Sequence, residues 1–114
     1  MDHISVVGVE YRPIAIEDYS SLMSGDIIWT PKSNMLDCIA YLIVDNQSEE
    51  RPYCLTNMVG YKAGLRLVSF PNECSVSGNS KSLSFIWIRD NWDKWIALGK
   101  YEDAVFLRYA SLLD

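Results

Sequence analysis

The chain has 114 residues, of which 49% are hydrophobic and 22% charged, the balance of a globular domain and not of a disordered segment. That length makes one domain, residues 1–114, large enough to bury a core without a disulfide or metal staple. The net charge of −5 disfavours nucleic acid and anionic lipid and suits a basic partner; acidity also serves plain solubility, and the sequence leaves both readings open.

The charge is uneven. Residues 1–56 carry nine acids against three bases, a net −6, whereas residues 57–114 carry six acids against seven bases, a net +1. No run of roughly 18 or more apolar residues is present, so no membrane-spanning helix is expected. The start Met1-Asp2-His3-Ile4 has an acid where a secretory signal has basic residues, and the expected location is the cytoplasm. The three cysteines, Cys38, Cys54 and Cys74, are odd in number and match no zinc spacing. They are expected to be buried free thiols, and neither a metal nor a cofactor is expected.

In chain order, residues 4–9 are β-branched and suggest an irregular first strand. Residues 16–23 suggest one or two helical turns closed by Ser24-Gly25. Residues 26–30 form a strand ended by Pro31. Residues 36–44 are apolar on both faces and mark a central strand. Residues 45–51 and 72–82 are polar loops. Residues 52–59 and 65–70 form two strands around the turn Gly60-Tyr61-Lys62-Ala63-Gly64. Ser84 is an N-cap, and Phe85, Ile88, Trp92, Trp95 and Ile96 follow at helical spacing. Residues 104–109 alternate as a last strand. The fold class is therefore α+β: a curved antiparallel sheet, barrel-like or open, with one main helix near residues 85–96.

Chemistry-bearing motifs are few. The single histidine, His3, lies near the N-terminus, a poor place for a general base that needs fixed geometry. There is no phosphate-binding glycine loop, no HExxH and no CxxC. A carboxylate enzyme could draw on Glu17-Asp18, Asp26, Asp37 or Glu49-Glu50; it needs a pocket that pushes two carboxyl pKa values apart. No enzyme activity is expected. Trp92 and Trp95 fall on the apolar stripe and belong in the core, while Trp87 falls off it and is placed to cap another surface.

The segments Gly25-Asp26-Ile27-Ile28, Pro52-Tyr53-Cys54-Leu55, Gly60-Tyr61-Lys62-Ala63-Gly64, Phe70-Pro71-Asn72-Glu73 and Asn91-Trp92-Asp93-Lys94-Trp95 together resemble the immunity protein 45 family of bacterial polymorphic-toxin and contact-dependent growth inhibition systems. The resemblance spans about residues 20–110, and its motifs are structural. It implies a cytoplasmic antidote that binds a cognate toxin domain, often a nuclease, and blocks its active site or substrate path, with neither nucleic acid nor membrane as a partner. A nuclease is basic where it holds phosphates, and an acidic inhibitor associates with it quickly through electrostatic steering. The alternatives are a β-rich interaction module or adaptor without a toxin link, and the small carboxylate enzyme. The resemblance carries over no binding residues. The residues themselves nominate Asp37 and Asp45, which bracket the central strand, and Glu49 and Glu50 in the loop after it. Trp29 and Tyr61 are the aromatic anchor candidates.

Overall fold

The computed structural model describes residues 4–6, 8–14, 21–30, 39–59, 63–75, 82–96 and 99–112. Nine strands lie among the described residues: β1 (Ile4–Val6), β2 (Val9–Pro13), β3 (Ser21–Leu22), β4 (Ile27–Thr30), β5 (Ile39–Asp45), β6 (Tyr53–Asn57), β7 (Arg66–Ser69), β8 (Leu83–Ser84) and β9 (Val105–Tyr109). Seven of them form one sheet in the order β1-β2-β9-β4-β5-β6-β7, while β3 and β8 pair separately. Every pairing is antiparallel. The sheet curls into a half-barrel, and the fold is α+β and sheet-dominated as expected.

The last strand lies inside the sheet. β9 inserts between β2 and β4, with Arg12 opposite Arg108 and Ile28 opposite Phe106. Phe106 and Leu107 point to opposite faces and both are buried, the signature of a strand covered on both sides. On one face Ile28, Tyr41, Ile43, Leu55, Phe70 and Phe106 meet the helical segment in the main core. On the other face Val6, Tyr11, Ile27, Ala40 and Leu107 form a second cluster, with Trp29 packed against it.

Three local expectations are corrected. Residues 4–9 are not one strand: the chain reverses at Gly8, whose φ of +79° suits glycine, and Val6 pairs with Val9. Residues 21–23 are not helical. Ser21 and Leu22 pair with Ser84 and Leu83, because a two-strand contact buries both leucines. The chain then turns through Gly25 at φ +100°; the remainder of that expected helix, residues 15–20, lies outside the described residues.

The third correction concerns the helix. α1 (Phe85–Asp90) starts as expected, with Ser84 Oγ accepting from the Trp87 N–H at 3.1 Å. It stops at Asn91, whose side-chain amide donates to the Trp87 carbonyl at 2.9 Å beside its own backbone N–H at 3.0 Å. An asparagine that competes for a helical carbonyl loosens the helix, and Trp92–Ile96 continue as a wider π-helical turn. Phe85, Ile88, Trp92 and Ile96 remain buried, while Trp95 is only half-buried.

Candidate partner-binding surface

The β5–β6 hairpin ends in an acidic turn that its own hydrogen bonds hold in shape. The Asn46 N–H donates to the Pro52 carbonyl at 2.9 Å, and the Asn46 side-chain amide donates to the Arg51 carbonyl at 2.9 Å. The Gln47 N–H donates to Asp45 Oδ1 at 2.7 Å, an Asx-type bond that holds Gln47 at φ +56°. The Arg51 N–H donates to Ser48 Oγ at 3.3 Å, and the Asp45 N–H donates to Ser24 Oγ at 3.1 Å, tying the turn to the β4 side. Glu49 and Glu50 are exposed on this ordered loop. Two carboxylates held outward on a fixed turn are presented to a partner with little backbone entropy left to lose.

Arg51 joins the turn to an aromatic ledge. Its guanidinium lies over the Trp95 ring, 5.8 Å from the centroid, within cation–π range. Trp95 and Trp87 are 6.1 Å apart between centroids, and Trp87 meets the fully buried Phe70 edge-on at 5.3 Å. Arg51 Nη1 also donates to the Ser69 carbonyl at 3.4 Å. Arg and Trp are the side chains that most often anchor protein interfaces, and here they stand beside the two exposed glutamates on a rigid base.

The nominated residues separate in space. Asp45, Glu49 and Glu50 share the turn, with Asp45 at the outer end of β5 and one carboxylate oxygen engaged within the loop. Trp29 pairs with Ala40, five residues along β5 from Asp45, a separation of roughly 17 Å along the strand. It packs on the opposite sheet face. Asp37 and Tyr61 lie outside the described residues. The sequence places Arg51 in the acidic turn but does not bring Trp87 and Trp95 beside it. The available signal was Trp87, an aromatic off the buried stripe and therefore in need of another neighbour.

Of the carboxylates offered for catalysis, only Asp26, Glu49 and Glu50 are among the described residues, and Asp26 is occupied. Asp26 is 1% exposed and its two oxygens accept from Arg108, with a further bond from the Met23 N–H at 2.9 Å. Glu17, Asp18 and Asp37 lie outside the described residues. An open crevice of about 570 Å³ lies between Arg89, Trp92, Asp93, Lys100, Tyr101 and Glu102. Its charges are of both signs. Burial, the largest influence, pushes the Tyr101 hydroxyl above its ordinary pKa, partly opposed by Arg89.

The fold and this surface define a small α+β protein that presents charged and aromatic side chains on a fixed turn. The chain belongs to the immunity protein 45 family, whose model matches residues 16–106. Comparison with curated proteins and with solved structures gives no match.

Proposed function

We propose that this immunity protein binds a cognate bacterial toxin domain in the cytoplasm and neutralises it by occlusion, without catalysis of its own, and that the toxin is a basic protein with nuclease activity. Membership of the immunity protein 45 family is the observation that carries this reading; the net charge of −5 supports the basic partner. Glu49 and Glu50 lead the encounter, with Asp45 behind them and Asp37 as a fourth acid. Tyr61 stays in the candidate contact set from its place in the sequence; Trp29, on the opposite sheet face, would serve only a second contact, and the Arg51–Trp95 ledge supplies the nearer aromatic anchor.

The test is a titration. A candidate cognate toxin domain, sought in the gene immediately upstream, is assayed on nucleic acid while this protein is added. Loss of activity that is complete near equimolar protein supports the reading. Full activity at a large molar excess contradicts it.

A further inference from the structure

Building on that function, we propose that the outer edge of β7 receives an extended strand of the toxin domain, with the basic end of that strand against Glu49 and Glu50. β7 is the last strand of the sheet, with β6 on one side. The Phe70 N–H donates to the Tyr53 carbonyl at 2.8 Å, so Phe70 faces β6, and strand alternation turns the N–H and C=O of Ser69 outward. Among the described residues, the outward Ser69 carbonyl is met by Arg51 at 3.4 Å, longer than a usual N–H···O bond and made by an exposed side chain that is able to swing away.

The side chains of this edge are unusual for one that no further strand meets among the described residues. Leu65 is 61% and Leu67 46% exposed, where sheet edges commonly carry charges or proline to prevent pairing. Arg66 lies between them, and the register shifts opposite Leu55 and Thr56, giving β7 an extra residue and a stronger local twist. Both features work against a second copy of this chain. A two-fold β7-to-β7 pair brings two Arg66 guanidinium groups close together, and like charges across a pair destabilise it.

A basic partner strand meets the opposite situation. The turn that supplies Arg51 to Ser69 also carries the exposed Glu49 and Glu50, so this acidic turn neighbours the Ser69 end of β7. Added-strand pairing supplies main-chain hydrogen bonds for affinity, and flanking side chains supply the choice of partner. Leu65 and Leu67 provide the apolar contact, and the glutamates set the direction of the incoming strand.

The experiment uses the full chain and the candidate toxin domain sought in the gene immediately upstream. Binding kinetics are recorded for the wild type, for Leu65→Asp combined with Leu67→Asp, and for Ser69→Pro, which removes an outward N–H and leaves the β6 ladder intact. Hydrogen exchange of β7 is followed with and without toxin. The expected result is dissociation faster by about tenfold or more in the leucine variant, with its melting temperature unchanged and the wild-type Ser69 amide protected only in the complex. Wild-type dissociation in both variants, together with unchanged Ser69 exchange, overturns the edge proposal. If Glu49→Lys with Glu50→Lys still weakens binding in that case, the antidote reading survives. Failure of the wild type to bind the toxin overturns both.

Discussion

Arg108 grips Asp26 across the sheet through two parallel bonds, Nε to Oδ1 and Nη2 to Oδ2, each 2.9 Å. The carboxylate is 1% and the guanidinium 11% exposed, so this is a buried, bidentate ion pair joining β9 to the start of β4. Asp26 also holds the Met23 N–H, and Arg12 faces Arg108 on the neighbouring strand. Breaking a buried pair leaves an uncompensated charge. Asp26→Ala is expected to lower stability by about 3–5 kcal/mol, read as an earlier urea midpoint. A loss below about 1 kcal/mol would show that solvent reaches Arg108 once its partner is gone.

Trp92 is the second structural test. It is 2% exposed, its indole N–H donates to the Gly99 carbonyl at 2.9 Å, and its ring meets Tyr101 edge-on at 5.6 Å. Trp92→Ala is expected to cost about 3–5 kcal/mol. Trp92→Phe keeps an aromatic ring but loses the bond to the Gly99 carbonyl, and should cost about 1 kcal/mol. Thermal unfolding of both variants separates packing from the hydrogen bond; an unchanged melting temperature in the alanine variant contradicts the packing.

Much of this fold was legible because its strands are strongly patterned. β4, β6, β7 and β9 fall within the expected segments, β5 runs one residue past its segment to Asp45, and Ser84 caps α1 as the sequence suggests. What could not be read depends on contacts distant in sequence. The insertion of β9 between β2 and β4 is set by which faces bury which side chains, and no local pattern encodes that. The two-residue strand at Ser21 exists only because Leu83 receives Leu22. For the surface, Glu49 and Glu50 were legible as exposed loop acids. Trp95 at helical spacing reads as core, and only the widening after Asn91, together with the position of Arg51, makes it half-buried beside them.

The cysteines give a pH test. Cys54 and Cys74 are free and buried, while Cys38 lies outside the described residues. Burial, the largest influence, pushes the Cys74 thiol from its ordinary 9.0 up to about 11; burial likewise raises Tyr11, Tyr41 and Tyr53 above 10.0. These groups release protons more readily when unfolded, so the stability they contribute is full below the unfolded values and falls as pH rises from about 9 towards 11. Urea midpoints should decline across that window, and a flat profile contradicts the assignment. Thiol titration of unfolded, unreduced protein should find all three cysteines reactive, whereas one reactive thiol would reveal a disulfide.

The proposed encounter between the acidic turn and a basic toxin domain is tested by surface-binding kinetics against the candidate toxin at low and high salt. Screening shortens the reach of charge to about 10 Å at 0.1 M salt and about 3 Å at 1 M. The association rate is expected to fall steeply as salt rises, and to fall about tenfold further when Glu49 and Glu50 are both changed to lysine, with the dissociation rate much less affected. An association rate indifferent both to salt and to that double reversal would contradict it.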